Sequence, residues 1–456
     1  MAEVFLKPGT MDPLLEGDTC RNTRLAATLR RVADEGAGIL REGPLAESLA
    51  QDIRDAGGIV TAADLAQYRP RIMAPLRAQA MGFTLLGMPP PSSGGAAVAQ
   101  VLEFLGGYAR PLSSPGTLGT HRLAEAFKNA FAMRMNLGDP EAALPNLAAA
   151  LADMLSPSFN SELRTATLDN ATRPATAYGA QWNQLDDSGT THLCVVDAER
   201  NAVSMTSTIN TEFGSKVVSP STGIVLNNEM DDFSSPGVRN HYGLAPSEAN
   251  FIAPRKRPLS SMSPTIVIDE SSGTAKVFAV AGASGRALHT YCYLGCALEG
   301  PWMCLACALD VLCGVTQLVS GTNGLNCSLK GILPGRRRRR QQWCTGAVWS
   351  SSLCSYLQKA LASGGPRIIT ATAQVLLNVI ARGMDPLAAV NTPRIHHQLI
   401  PDIVYAEEQR CLGDGPLRRV PEEEVAGLRA RGRGLHSLTF QLNLSRFGQP
   451  SPYPPV

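Results

Sequence analysis

The 456-residue sequence predicts an α/β (α+β) protein whose β-sheets are stacked between helical layers. Three observations predict it. Helical periodicity dominates the first 180 residues, strand-like alternation begins at Thr190, and helical spacing returns over residues 366–390. A composition 44% hydrophobic and 5% aromatic suits a core built mainly from Ala, Leu and Val, and the chain is long enough to bury a large one.

Each element has a local reason. "TAADLAQY" opens with Thr61 and Asp64 in capping-box spacing, a helix start. "GFTLLGMPPPSSGG" (82–95) reads as a strand, a rigid triple proline and a flexible loop whose backbone can approach a neighbour closely. "HRLAEAFKNAFAMRMNLGDP" (121–140) puts Leu123, Phe127, Ala130, Phe131 and Met135 on one helical face, with Gly138 and Pro140 as the stop. "THLCVVD" and "NAVSMTSTI" alternate around the polar turn "AER" and predict a β-hairpin. "PTIVIDESSGTAKVFAVAGAS" repeats the scheme, and "PRIITATAQVLLNVIARG" predicts a helix stopped at Gly383.

Charge excludes some functions. Net charge is +2, and without the run Arg336–Arg340 the balance turns negative, so no general basic character points to nucleic acid. The start "MAEVFLKPGT" carries no basic-then-apolar signal, and the most apolar window, residues 300–319, holds Asp310 in its middle. Eight of the 11 cysteines fall within residues 286–364, a block without hydrophobic period whose only CxxC is Cys304–Cys307; a zinc-bearing or basic interaction module there is the alternative to an unstructured insertion. The last twenty or so residues read as a disordered tail.

The chemistry centres on "DDSGTTHLCVVD". A hydroxyl needs a base beside it to act as nucleophile, and an N-terminal threonine carries one, its α-amine with a pKa of about 8. Exposing that amine inside a chain requires breaking the preceding peptide bond, and a glycine there permits the strained approach of Oγ to the carbonyl. Gly189-Thr190 has this form. Downstream, "GIVLNNEMDDFS" clusters Asn227, Asn228, Glu229, Asp231 and Asp232 after an apolar strand: a metal site, a solvated acidic loop or a receptor for an ammonium group. Metal is disfavoured, because no histidine or further acid stands at ligand spacing and His192 reads as a structural strand residue. Ser260 and Ser261 offer two hydroxyls to a carboxylate, and "AVAGASG" offers backbone N–H groups to an oxyanion.

These motifs, in this order with "TSTIN" and "GASG…GGPRIITAT", resemble the small subunit of γ-glutamyltransferases (γ-glutamyltranspeptidases, glutathione hydrolases). "FLKPG", "GGIVTAADLAQY" and "GMPPPSSGG" resemble the later half of that family's large subunit, and the wording is nearest its plant-like branch. The resemblance implies an N-terminal-nucleophile hydrolase, an αββα four-layer sandwich, matured by autoproteolysis before the threonine into a heterodimer of its own two fragments. It implies Thr190 as nucleophile, oriented by Thr208. Asn210, Glu229 and Asp232 would hold the substrate's α-amino group, and Ser260 with Ser261 its α-carboxylate. A glycine pair, Gly364 with Gly365 or Gly285 with Gly365, would form the oxyanion hole. Donors would be glutathione and related γ-glutamyl compounds; acceptors would be water, amino acids or dipeptides, with no metal or cofactor. The family works at cell surfaces, in vacuoles or in the periplasm.

Two departures set further expectations. The family's carboxylate-binding arginine precedes the point where this chain begins, so the sandwich is expected to be incomplete at its N-terminus. The motif Gly-Ala-Ser-Gly-Gly breaks at Gly285 and resumes before Gly365, so residues 286–364 are expected to lie outside the fold. The resulting division is 1–189 (large-subunit part), 190–285 (nucleophile part), 286–364 (insertion), 365–433 (second small-subunit part) and 434–456 (divergent tail). An acylase for other amides is disfavoured by the intact Asn210/Glu229/Asp232/Ser260/Ser261 set. The runner-up is an inactive homologue that fails to mature.

Overall fold

The computed structural model describes every residue except 1, 16, 109–115, 143–145, 180, 183–189, 212, 238–244, 287–288, 297–364, 411–416 and 441–456. Helices α1 (Ala2–Phe5), α2 (Thr23–Glu35), α3 (Pro44–Asp55) and α4 (Ala62–Gln67) come first. Helix α4 starts as its sequence requires: the Asp64 N–H donates to the Thr61 hydroxyl, and the Thr61 N–H to the Asp64 carboxylate. Strands β1 (Leu76–Ala80) and β2 (Phe83–Gly87) then lead through the prolines into α5 (Gly94–Gly106). A Cβ on Gly94 would stand 2.2 Å from the Met262 carbonyl oxygen, the close backbone approach that the Ser-Ser-Gly-Gly loop allows.

After α6 (Thr117–Arg134), α7 (Leu147–Leu155) and α8 (Pro157–Ala166), the chain turns to strands: β3 (Thr190–Val196), β4 (Ala202–Thr208), β5 (Thr265–Asp269), β6 (Lys276–Arg286) and β7 (His289–Cys296). The order β1-β2-β5-β6-β7 makes a five-stranded sheet with every neighbour antiparallel. Helix α9 (Arg367–Ile380) packs against one face of β6 and also against α5, which covers β1 and β2. The small side chains of β6 permit it: Ala279 and Ala281 join Leu102, Phe127 and Leu377 in the main core, and Ala283 meets Ile368 and Val375. On the opposite face lies the β3–β4 hairpin, where a Cβ on Gly282 would fall 2.1 Å from the His192 ring. Helix on sheet on hairpin makes three of the four layers expected from the sequence.

After α10 (Pro386–Asn391), β9 (Ile403–Arg410) takes β8 (Ile395–His396) and β10 (Leu417–Arg419) antiparallel on one side; on the other, β11 (Gly434–Phe440), which follows α11 (Glu422–Ala430), runs parallel to it. Among the described residues no helix is long and apolar enough to cross a membrane.

Three expectations need correction. Residues 286–364 do not lie wholly outside the fold, because β6 continues through Arg286 and residues 289–296 pair with it from Ala279 to Arg286. "HTYCYLGC" has the aromatic and β-branched content that suits a strand, and the β6 edge offered it unpaired backbone groups. The rest of that block, with Cys304–Cys307 and the arginine run, lies outside the described residues. The tail is not structureless from Gly434: "GLHSLTF" pairs with β9 over seven positions, its alternation being a strand pattern that the composition of the following residues masked. Helix α6 ends at Arg134, ahead of Gly138, and it is buried on both faces. Its polar side finds partners: Glu125 with Arg433, Thr172 and Tyr178, and Lys128 with Asp402, Thr172 and the Arg173 carbonyl.

Candidate active site

Thr190 is the first residue of β3, directly opposite Thr208, the last residue of β4. This end-of-hairpin pairing brings the two hydroxyls together, and Thr190 Oγ1 donates to Thr208 Oγ1 at 3.2 Å. Thr208 Oγ1 also accepts the Asn210 N–H at 2.8 Å, so its two lone pairs are engaged and its own proton is left to donate. Thr190 is buried, 9% exposed, a position in which an ionic or hydrogen-bonding contact is weakly screened. The preceding Gly189 lies outside the described residues.

Asn210 turns the chain out of the strand with φ of 71°, a left-handed conformation that Asn tolerates better than most residues. Its Nδ2 donates to the Asn228 carbonyl at 3.1 Å, while its Oδ1 is buried and accepts nothing among the described residues. A buried amide oxygen without a donor is costly unless a ligand supplies one, and an ammonium group fits that need. Asn228 ties the acidic turn to the same corner: its Oδ1 accepts from the Thr211 N–H and hydroxyl, and its Nδ2 donates to Asp231 at 2.8 Å. Glu229 and Asp232 begin and end this single 3-10 turn; the Glu229 N–H is capped by Asn227 Oδ1, and Asp232 is buried. Asp231, in contrast, is exposed.

Asn250 carries the connection onward. Buried, it donates from Nδ2 to the Asp232 carbonyl at 2.6 Å and accepts the Leu259 N–H at 2.9 Å, so it joins the acidic turn to the Ser260–Ser261 loop. That loop is held against the Pro-Ser-Gly loop before α5: the Ser260 N–H donates to the Pro91 carbonyl, and the Ser93 N–H and hydroxyl both donate to the Ser260 carbonyl. Ser261 is buried, and its Oγ accepts from Arg134 at 2.8 Å. Thr190, Thr208, Asn210, Glu229, Asp232, Ser260 and Ser261 therefore belong to one hydrogen-bonded run.

The glycines are placed differently. Gly285 lies inside the β6–β7 ladder opposite Thr290. Gly365 has φ of 60°, is buried, and accepts the Ile368 N–H as the chain enters α9. Gly364 lies outside the described residues.

His192 is structural. Its Nδ1 meets Thr206 Oγ1 at 2.7 Å and its Nε2 meets Cys194 Sγ at 3.2 Å; burial holds its pKa at about 3, so the ring is neutral near pH 7. Among the described residues no group of three or more His, Cys, Asp or Glu side chains is arranged to hold a metal ion. Sequence reasoning missed Asn250 and Arg134. Arg134 had a signal, a cation flanked by two methionines at the end of the helical pattern; Asn250 had none, because only folding brings Asp232 and Leu259 to either side of it.

The family profile Gamma-glutamyltranspeptidase matches residues 1–295 and 361–445. Glutathione hydrolase 2 of Arabidopsis thaliana is 40% identical over 437 residues, 95% of this chain and 61% of that protein. The glutathione hydrolase proenzyme of Escherichia coli K12 is 32% identical over 416 residues, 89% of this chain and 55% of that protein. Among solved structures, cephalosporin acylase from Bacillus halodurans superposes with a TM-score of 0.58 at 20% identity, over 92% of this chain and 56% of that one, a likeness of fold alone.

Proposed function

The chain belongs to the gamma-glutamyltranspeptidase family, and on that premise we propose that it matures by cleavage before Thr190 and transfers γ-glutamyl groups from glutathione and related amides to water, amino acids or dipeptides. It has the α+β N-terminal-nucleophile hydrolase fold and spans 61% and 55% of the length of the two relatives, the second of which is named a proenzyme. One observation carries the proposal: the Thr190–Thr208 hydroxyl pair, tied to an acidic turn through Asn210, whose own amide oxygen is buried and unsatisfied.

Thr190 Oγ attacks the Gly189 carbonyl carbon and the C–N bond breaks, the hydroxyl proton passing to the nitrogen. That cleavage frees the Thr190 α-amine, and water then hydrolyses the resulting ester, restoring the Thr190 hydroxyl and leaving Gly189 as a carboxylate. With Thr208 holding Oγ, that amine takes the hydroxyl proton while Oγ attacks the γ-carbonyl, and returns it to the departing amine. The γ-glutamyl ester is then hydrolysed or passed to an acceptor amine. Asn210, Glu229 and Asp232 receive the substrate's ammonium group, Ser260 and Ser261 its carboxylate, and N–H groups beside Gly365 the oxyanion. Loss of one such oxyanion donor costs about 3–4 kcal/mol.

Mass spectrometry tests the first step: a fragment beginning at Thr190 is expected from the wild-type chain and not from Thr190→Ala. Release of chromophore from a γ-glutamyl anilide tests the second, and turnover persisting in Thr190→Ala overturns the nucleophile. A second reading, a homologue that does not mature, is favoured by the course of β6, which runs past Gly285 into β7 instead of entering α9 at Gly365.

A further inference from the structure

Arg134 stands at the C-terminal end of α6, buried, where two loops meet. Its guanidinium acts as a two-armed donor: Nε donates to Ser93 Oγ at 2.9 Å and Nη2 to Ser261 Oγ at 2.8 Å. The two hydroxyls use their protons differently. Ser93 Oγ donates to the Ser260 carbonyl at 2.7 Å, so its proton is committed to holding the loop. Ser261 Oγ accepts from Arg134, and no described residue takes its proton.

A serine hydroxyl has one proton and two lone pairs. A guanidinium N–H on one lone pair turns the O–H away from the cation and polarises it, which strengthens it as a donor. A buried cation behind that hydroxyl also favours an anion in front of it, since the interaction is weakly screened there. We propose that Arg134 is a positioning residue for the carboxylate subsite. It aims the Ser261 proton at the substrate's α-carboxylate and, through Ser93, fixes Ser260 beside it. Selection for an amino acid over the corresponding plain amine then depends on α6, a helix that lies far from Thr190 in the sequence. The proposal rests on the γ-glutamyl reading of the site.

The test compares kcat/KM for γ-glutamyl p-nitroanilide with that for 4-aminobutyryl p-nitroanilide, which keeps the amine and the amide but lacks the carboxylate. In the full-length chain, Arg134→Met is expected to lower the ratio about 10- to 100-fold, chiefly through KM of the carboxylate-bearing substrate. Arg134→Lys, which keeps the charge and one donor, recovers part of it. An equal fall for both substrates, or an unchanged ratio, overturns the proposal, since a merely structural role moves both together. Should Arg134→Met fail to fold, a cycle of Arg134→Lys and Ser261→Ala decides: non-additive effects on the ratio support the proposal and additive ones overturn it. In a chain that turns over neither anilide, the ratio is read instead from calorimetric Kd values for glutamate and 4-aminobutyrate. Wild-type protein that binds neither overturns the γ-glutamyl reading itself, a result distinct from a wild-type preference that Arg134→Met leaves intact.

Discussion

Thr190 and Thr208 owe their meeting to one register of one hairpin, in which a slip of a single residue would send the Thr190 hydroxyl to the opposite face. His192, two residues on, helps to hold that register, since it faces Gly282 across the sandwich and bonds Thr206 on the neighbouring strand. It does so as a neutral ring. His397 is neutral too: its Nδ1 accepts the Leu399 N–H, leaving Nε2–H to donate to Asp402, and burial lowers its pKa to about 4. Both histidines titrate near 6.5 when unfolded and well below that when folded, so only the unfolded chain takes up their protons as pH falls from 6.5. Their contribution is complete above pH 6.5 and is lost on acidification toward about 4 for His397 and about 3 for His192. Urea unfolding is expected to show stability falling by as much as about 1.4 kcal/mol per pH unit for each histidine, with a shallower slope in His192→Gln.

At the scale of elements, the acidic turn is steadied from the helical half of the chain. Asp52 on α3 accepts from the hydroxyls of Ser219 and Ser221 and from the Ser221 N–H, and on α2 the Thr28 hydroxyl donates to the Thr222 carbonyl. Asn22, the N-cap of α2, also donates to the Gly223 carbonyl at 2.8 Å. This loop leads directly into Asn227–Asp232, so freeing it loosens the turn proposed to receive the substrate's ammonium group without touching Thr190. Asp52→Ala is expected to cost about 1–2 kcal/mol of stability and to raise KM for a γ-glutamyl anilide more than it lowers kcat. Unfolding curves and steady-state kinetics of the variant check both.

For the whole molecule, the main core draws on both sides of the Gly189–Thr190 junction, with Phe127 and Leu102 packed alongside Ala281 and Leu377. Ion pairs cross it as well, the buried Glu125–Arg433 pair and Lys128 with the more exposed Asp402 at 2.9 Å. Severing one peptide bond leaves these contacts intact. The two fragments are therefore expected to co-elute in gel filtration and to separate only in denaturant; separation in native buffer would argue against a processed heterodimer. The break between Gly285 and Gly365 belongs to this scale too. Deleting residues 286–364 restores Gly-Ala-Ser-Gly-Gly at the loss of edge strand β7. The shortened chain is expected to yield the Thr190 fragment and to turn over a γ-glutamyl anilide at least as fast as the full chain, and loss of cleavage would show that the block serves the fold.

Much was legible in the residues alone. The capping box at Thr61 and Asp64, the alternation around Ala198-Glu199-Arg200 and the apolar face of α6 are local patterns, and short-range physics suffices to read them. So is the order of motifs that names Thr190, Asn210, Glu229, Asp232 and Ser261. The strand at Gly434–Phe440 and the strand after Arg286 escaped, because short strand-like runs beside a polar tail and an aperiodic block are fixed only by pairing with β9 and β6. The sequence by itself determined the chemistry available: a hydroxyl after a glycine, carboxylates after a strand, paired serines. Only the tertiary structure decided their arrangement, since Asn250 and Arg134 act by bridging segments far apart in the chain, and hydrogen bonds between distant segments leave no periodic trace in either one.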